Sequence, residues 1–167
     1  PLFVKPAGLG SSIGISRVEH VDGIAAAISL AREYSETVIV EPEIKGDEYF
    51  AGIIGDIVLP LIRIHTPRKF YDYTAKYESD DTRYFCPCGL PGDVEKELQA
   101  LSLEAFYALE CSGWGRIDFI MDESGKAWFL EANTTPGMTN HSLVPQAAAQ
   151  MGIGFDELVW RILESSL

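Results

Sequence analysis

The strongest constraint on the fold is a hairpin pattern within residues 115–142. Two runs of alternating residues, 116–121 and 126–131, flank a turn rich in Asp, Ser and Gly. This arrangement is typical of a β-hairpin. We expect Ser124 and Gly125 to form a two-residue loop between the strands. The chain is therefore predicted to contain at least one antiparallel sheet.

The loop sets a register that separates the hairpin into two chemically different faces. Alternate residues of a strand share a face, so Asp118 would lie opposite Glu131, and Arg116 opposite Asn133. This polar face also carries Ile120 and Phe129, whereas the apolar face comprises Ile117, Phe119, Met121, Trp128, Leu130 and Ala132. We expect the apolar face to pack against the core.

The oxygen-bearing residues of the polar face allow two interpretations. Opposed carboxylates repel each other unless a positive group lies between them. Carboxylate and amide oxygens suit a hard cation such as Mg²⁺, which takes its remaining ligands from phosphates and water. The alternative is a solvent-exposed face whose charges are hydrated. The pattern alone leaves both open, because a slip of one residue would move these side chains to the other face.

Composition narrows the class of protein. The 167 residues are enough for a folded core, and 47% of them are hydrophobic. With 13 basic and 25 acidic residues, the net charge of −12 argues against nucleic acid or anionic lipid as a partner, but not against small phosphorylated ligands.

No apolar run approaches the roughly 18 residues of a membrane helix, and three cysteines form no disulfide framework. We expect a cytoplasmic protein. Because the chain begins within an apparent strand and lacks an initiator Met, we expect it to be part of a longer one.

The remaining pattern predicts further elements. Strands are expected at residues 2–5, 15–18, 37–41, 47–54 and 57–64, and helices at residues 21–34, 93–112, 143–151 and 155–163. Asp93 and Ser142 are candidate helix caps, and Gly113 is a candidate helix end. The apolar stripe of the helix at 93–112 is predicted to comprise Val94, Leu98, Leu101, Ala105 and Leu109. Residues 66–91 are rich in aromatic side chains and predict an ordered loop that closes over a site, or an irregular surface excursion.

Five motifs in order carry a family resemblance. They are KP at residues 5–6, GSSIG at 10–14, YDYTAKY at 71–77, GRID at 115–118 and LEANTTPGMT at 130–139. Together they resemble D-alanine–D-alanine ligase, an ATP-grasp enzyme of peptidoglycan synthesis. The resemblance implies an α+β fold: an ATP-grasp C-terminal domain at residues 46–167, with an antiparallel sheet, flanking helices and a closing loop at 66–91. Residues 1–45 would be a remnant of the central nucleotide-binding subdomain.

The resemblance also implies an activity. ATP would phosphorylate one D-alanine, and the amine of a second would attack the acyl phosphate. Two Mg²⁺ ions are expected, with Mn²⁺ as a substitute, and the parent protein would be a homodimer. The alternatives are a D-alanyl-D-lactate or other carboxylate–amine ligase, or a nucleotide-binding fragment without catalysis. We expect the isolated chain to be inactive or nearly so.

Residue roles follow from the resemblance for the reacting groups. The metal ligands would be Asp118, Glu131 and Asn133. Arg116 and the backbone N–H of Gly137 would stabilise the oxyanion. The phosphates would be held by Lys5, Lys76, Ser11 and Ser12.

The resemblance further implies how the substrates are held. Glu41, the segment at Ile44, Glu48 and Phe70 would contact adenosine, with Glu48 on the ribose. Pro42 departs from the polar residue common in the family at that point. Ser142 and Leu143 would hold the second D-alanine, and Tyr77 would hydrogen-bond Ser11 and close the site. The presence of this tyrosine favours an amine acceptor.

Overall fold

The chain forms two compact units. The computed structural model describes residues 1–10, 12–65, 82–139 and 141–166. The first unit contains Pro1–Ile44, and the second contains Lys45–His65 and Arg83–Leu167. Each unit has its own sheet and its own hydrophobic core. Within the described ranges, no helix is both long and apolar enough to span a bilayer.

The first unit is a three-stranded antiparallel sheet covered by one helix. Its elements are β1 (Leu2–Pro6), β2 (Ser16–Val18), a 3-10 turn (Val21–Gly23), α1 (Ile24–Arg32) and β3 (Val38–Pro42), and the strand order is β2-β1-β3. The core consists of Val4, Val18, Ala27 and Ala31. Since Val4 faces α1, its neighbour Lys5 lies on the opposite face of the sheet.

The second unit is built on a larger antiparallel sheet. Its strands are β4 (Gly46–Ile54), β5 (Ile57–Val58), β6 (Ile62–His65), β7 (Arg83–Phe85), β8 (Trp114–Asp122) and β9 (Ala127–Asn133). Its helices are α2 (Gly92–Ala108), α3 (Leu143–Gln150) and α4 (Phe155–Ser165). The strand order is β7-β6-β4-β8-β9, with β5 paired to β4. The central strands β4 and β8 pair along their whole length.

Helices cover both faces of this sheet. On one face, α2 packs Leu98 and Phe106 against Ile117 and Phe119, and the Tyr49 ring stacks on Phe119 with centroids 5.5 Å apart. Helix α3 packs against the other face. Its Val144 lies over Gly52 of β4, where an added Cβ would be 3.5 Å from a methyl of Val144. These observations confirm the predicted α+β class with an antiparallel sheet and flanking helices.

Several element boundaries differ from the prediction. The strand expected at residues 57–64 is two short strands, β5 and β6, because Pro60 cannot donate to a sheet ladder. The N-cap of α2 is Pro91 rather than Asp93, and no side chain caps it. Its last residue is Ala108, well before Gly113, and Glu110 takes the positive φ of 58° that turns the chain.

The buried stripe of α2 also differs. Leu98, Ser102 and Phe106 are buried, at a spacing of four residues. By contrast, Leu101 and Leu109, which the apolar periodicity placed on that stripe, are exposed. Ser102 is tolerated inside because its hydroxyl donates to the carbonyl of Leu98 at 2.8 Å.

Candidate functional site

The β8–β9 hairpin brings the predicted polar residues together. Asp118 pairs with Glu131, and Arg116 pairs with Asn133. Paired residues of an antiparallel ladder point to the same face. The predicted register at these four positions is therefore confirmed, and the hairpin carries two carboxylates and an amide side by side.

The hairpin reaches this register by a different route from the predicted one. Asp122 pairs with Lys126 through a backbone bond of 3.0 Å, so the loop has three residues, Glu123, Ser124 and Gly125. Gly125 has a φ of +85°, as the third residue of such a loop requires. The predicted two-residue loop is wrong.

A β-bulge compensates for the one-residue shift in register that the longer loop introduces. The register shifts between Asp118 and Phe119, where Leu130 has no partner opposite it. A bulge adds one residue to one strand, and here it offsets the longer loop. As a result, the strands pair in the predicted register between the bulge and Asn133. Between the bulge and the loop, the register differs from the predicted one by one residue.

The bulge changes which side chains belong to the apolar face. Phe129 pairs with Phe119, and their rings lie 5.8 Å apart, so Phe129 is not on the polar face as predicted. Trp128 pairs with Ile120 and does not belong to the core cluster, so its predicted place on the core face is wrong. Ile117, Phe119, Met121 and Ala132 do pack in or against the core, as predicted.

Arg116 and Asp118 form the most buried charged pair of the site. Arg116 Nε donates to one oxygen of Asp118 at 2.6 Å, and a terminal guanidinium nitrogen donates to the other at 2.7 Å. Asp118 is 2% exposed. The guanidinium carbon of Arg116 also lies 4.5 Å from the ring centroid of Phe50. A bidentate bond combined with a ring contact holds Arg116 in one orientation.

The other two predicted metal ligands are more accessible. Glu131 is exposed, and Asn133 is half-buried and accepts a bond from the Thr135 backbone N–H at 3.2 Å. In the described part of the chain, no group of three His, Cys, Asp or Glu residues is arranged to hold a metal ion. The predicted set differs from such a group because its third member is an amide. Two carboxylates and one amide supply oxygen ligands, the type of ligand that Mg²⁺ accepts alongside phosphate and water.

The segment after β9 brings two further predicted residues together. A Cβ added at Gly137 would lie 3.0 Å from the Ser142 hydroxyl oxygen. Ser142 is the N-cap residue of α3, but its side chain makes no cap bond. Instead, its hydroxyl accepts from the Thr139 backbone N–H at 2.9 Å. Leu143 is the first residue of α3.

In the first unit, two predicted nucleotide-binding residues are in contact. Lys5 Nζ lies 2.9 Å from a carboxylate oxygen of Glu41. The two residues share one face of the sheet, since Glu41 pairs with Phe3 and Phe3 is two residues from Lys5. Ser12 lies in the loop after β1 with a positive φ of 60°, and Ile44 lies between β3 and β4.

Glu48 is on β4 in the second unit. It pairs with Ile120 on β8, two residues from Asp118, and so belongs to the same sheet face as that carboxylate. Four other predicted site residues, Ser11, Phe70, Lys76 and Tyr77, lie outside the described residues, as does most of the predicted closing loop.

Asp122 stabilises the tip of the hairpin. Its carboxylate accepts from the Ser124 hydroxyl at 2.6 Å and from the Trp128 indole N–H at 2.8 Å. These bonds lower the pKa of Asp122 from 3.8 to about 2, and the bond from Ser124 has the largest effect. These bonds give Asp122 a structural role at the tip of the hairpin.

Two residues of the site were not identified from the sequence. Phe50 lies beneath Arg116 because β4 pairs with β8, and the sequence does not specify which strands are neighbours. Thr139 contacts Ser142 three residues later in the chain. Ser and Thr side chains often bond to nearby backbone groups, so this spacing was a usable signal.

The comparisons with known proteins agree with the resemblance seen in the motifs. The family described as "D-ala D-ala ligase C-terminus" matches residues 1–164. A curated D-alanine–D-alanine ligase from Halorhodospira halophila is 53% identical over 167 residues, which is 100% of this chain and 55% of that protein. The chain thus spans about half the length of the curated relatives it matches.

Solved structures show the same fold. The VanG D-Ala:D-Ser ligase from Enterococcus faecalis superposes with a TM-score of 0.87 at 35% identity, covering 100% of this chain and 50% of that one. The D-alanine–D-alanine ligase from Bacillus anthracis complexed with ATP superposes with a TM-score of 0.83 at 30% identity, covering 99% of this chain and 52% of that one. The predicted ATP-grasp fold class is confirmed.

Proposed function

Because this chain belongs to the D-ala D-ala ligase C-terminus family, we propose that it is the catalytic part of an ATP-dependent ligase that joins two D-alanines. A carboxylate oxygen of the first D-alanine attacks the γ-phosphorus of ATP, and ADP leaves. The amine of the second then attacks the acyl carbon, and the C–O bond to phosphate breaks. The product would serve cytoplasmic steps of peptidoglycan synthesis. The names of the matched ligases and the ATP complex of one of them support this proposal.

The observation that carries the proposal is the pairing of Asp118 with Glu131 beside Arg116 and Asn133. Opposed carboxylates repel each other unless a positive group lies nearby. Arg116 offsets the charge of Asp118, whereas Glu131 has no ion-pair partner among the described residues. Asp118, Glu131 and Asn133 fit Mg²⁺, which they would hold. Bound there, the ion would neutralise charge on the phosphates of ATP.

Arg116 is proposed to stabilise the negative charge that develops at the reacting carboxyl group. Asp118 and Phe50 hold its guanidinium in place before substrate arrives, so little reorganisation is needed during reaction. The backbone N–H of Gly137 is the second proposed donor. A donor of this kind contributes roughly 3–4 kcal/mol to transition-state stability.

Nucleotide binding is assigned to the first unit and to β4. We propose that Lys5, Ser11, Ser12 and Lys76 bind the phosphates, and that Glu41, Ile44, Glu48 and Phe70 contact the nucleoside. The contact between Lys5 and Glu41 supports a common role for these two residues. We also propose that residues 1–45 belong to the central subdomain of the ligase, and residues 46–167 to its C-terminal domain.

The second amino acid is proposed to bind at Ser142 and Leu143, with Tyr77 closing the site over Ser11. Ser142 supplies a hydroxyl, and Leu143 a backbone N–H at the start of α3. Both are donors suited to a carboxylate. The likeness to a D-Ala:D-Ser ligase makes D-serine the second candidate acceptor.

The test is phosphate release from ATP by the full-length protein as its gene encodes it. We expect release that depends on D-alanine and Mg²⁺ and that D-lactate changes little. D-serine is assayed in parallel as acceptor. Glu131→Gln should lower the rate by at least about 100-fold, since loss of an outer-shell partner alone costs 10–100-fold.

Glu123→Gln is the matched control, because Glu123 lies in the loop at the tip of the hairpin and outside the pairing of Asp118 with Glu131. It should retain the wild-type rate. No D-alanine-dependent release by the wild type would overturn the substrate assignment. Equal rates for the two variants would overturn the metal assignment.

A further inference from the structure

The segment between β9 and α3 closes on itself through two residues. The Ser142 backbone N–H donates to the Thr139 carbonyl at 2.9 Å. In return, the Thr139 backbone N–H donates to the Ser142 hydroxyl oxygen at 2.9 Å, and the Thr139 hydroxyl lies 2.9 Å from the same oxygen. Among the described residues, the Ser142 hydroxyl thus has two hydrogen-bonding contacts, both with Thr139.

This arrangement has a cause in the sequence of α3. A serine at the N-cap usually accepts a bond from the N–H of the second or third helical residue. Here the third helical residue is Pro145, which has no N–H, so only the N–H of the second residue, Val144, is left as a capping partner. The Ser142 side chain turns back to Thr139 instead, and the first turn of α3 has no side-chain cap.

The hydrogen-bonding capacity of the hydroxyl then determines what Ser142 can offer. A hydroxyl has one donor and two acceptor positions. The Thr139 N–H fills one acceptor position, and the Thr139 hydroxyl can fill the second by donating its proton. Ser142 is then left with its own O–H, free to donate to a ligand. A carboxylate can only accept, so it favours this arrangement over the reverse.

We propose that Thr139 is a positioning residue that presents the Ser142 O–H as a donor to the carboxylate of the acceptor amino acid. The inference rests on the proposed function. Two observations support a carboxylate at this point. A Cβ at position 137 would lie 3.0 Å from the Ser142 hydroxyl oxygen, so the glycine keeps a side chain from crowding that hydroxyl where a carboxylate would approach it. The uncapped N-terminus of α3 favours a negative group.

The experiment measures acceptor-site kinetics in the full-length protein. Initial rates over a wide range of D-alanine concentration separate the Michaelis constant of the acceptor site from kcat. Thr139→Val removes the hydroxyl but keeps the shape, and should raise that constant by about five- to tenfold, the effect of one hydrogen bond. Thr139→Ser keeps a hydroxyl and should leave the Michaelis constant of the acceptor site near its wild-type value. Thr135→Val is the matched control in the same segment and should behave as wild type.

A double-mutant cycle tests whether Thr139 acts through Ser142. If it does, Thr139→Val should change the Michaelis constant of the acceptor site less than about twofold in the Ser142→Ala background. Additive effects would overturn the proposal, as would a Thr139→Val variant indistinguishable from Thr135→Val. Melting temperatures of all variants distinguish a local effect from unfolding. If the wild type shows no D-alanine-dependent turnover, the proposed function fails and this inference fails with it. If the wild type turns over normally and Thr139→Val leaves the Michaelis constant of the acceptor site unchanged, only this inference is overturned.

Discussion

Arg116 and Asp118 are joined by two hydrogen bonds, one to each carboxylate oxygen, although they lie only two residues apart on the same strand. The pair is mostly buried, with side chains 15% and 3% exposed. The residue proposed to bind metal and the residue proposed to stabilise the oxyanion are therefore one electrostatic unit. Changes to either should affect both stability and activity.

Arg116→Ala should lower the free energy of unfolding by about 3–5 kcal/mol, because it removes the guanidinium that pairs with the buried Asp118 carboxylate. Urea denaturation of the full-length protein measures this change. The control is Arg161→Ala on α4, where the pair with Glu157 is exposed. That substitution should cost no more than about 0.5 kcal/mol. Similar costs for the two variants would contradict the burial argument.

Asp122 should give the hairpin a pH-dependent stability. Its pKa in the folded protein is about 2, below its ordinary value of 3.8. The stabilising contribution is therefore complete above pH 3.8 and is lost as the pH falls through 2. Asp122→Asn should melt below the wild type near neutral pH, and the difference should shrink as the solution is acidified towards the lower pKa.

Ser124→Ala keeps the Asp122 carboxylate but removes the bond that lowers its pKa most. Its melting temperature should fall between those of wild type and Asp122→Asn near neutral pH. The measurement is thermal unfolding by circular dichroism. A wild-type advantage over Asp122→Asn that is constant across the acid range would show that titration of this carboxylate is not the cause.

Gly115→Ala should destabilise the second unit. An added Cβ would lie 2.7 Å from the ring of Phe106 and 3.0 Å from the Asn133 carbonyl oxygen. Phe106 is completely buried in the core cluster of this unit. Overpacking of this kind costs about 1–3 kcal/mol. Gly92→Ala, at the start of α2, meets no heavy atom within 4 Å and should change stability by less than about 0.5 kcal/mol.

Lys5→Met should weaken ATP binding, since the variant keeps the length of the side chain but loses a charge-assisted bond to phosphate. A bond of that type corresponds to an increase of about 10- to 100-fold in the dissociation constant. Isothermal titration of the full-length protein with ATP measures it. Lys96→Met, on α2, removes the same charge from the second unit and should leave the affinity unchanged. Equal affinity of Lys5→Met and the wild type for ATP would contradict the proposed role of Lys5 in binding phosphate.

Much of the fold could be predicted because local patterns are strong where one face of an element is buried. Alternation along residues 116–121 indicated β8, and the apolar runs indicated β1 and β4. Helix α2 was evident from its length, but its buried stripe was not. Apolar periodicity selected Leu101 and Leu109, whereas packing buried Ser102 and Phe106. Which face of a helix is buried depends on the neighbouring elements, and a single sequence does not specify them.

The pairing of Asp118 with Glu131 was predicted correctly from an incorrect loop. By itself, the sequence determined that the two residues lie on adjacent strands and that a hairpin joins them. Only the tertiary structure decided that a three-residue loop and a bulge at Leu130 both occur. A bulge depends on how the strand packs against its neighbours, so it leaves no local signal as clear as a turn.

The same division applies to the surroundings of the site. The sequence determined that Ser142 precedes a helix and that Pro145 offers it no N–H, but only the structure decided that its side chain bonds to Thr139 and not to the first turn of α3. The position of Phe50 beneath Arg116 was decided by the pairing of β4 with β8, strands separated by some sixty residues of chain. Contacts between residues close in sequence follow from local chemistry. Contacts between distant strands depend on the free energy of packing the whole sheet.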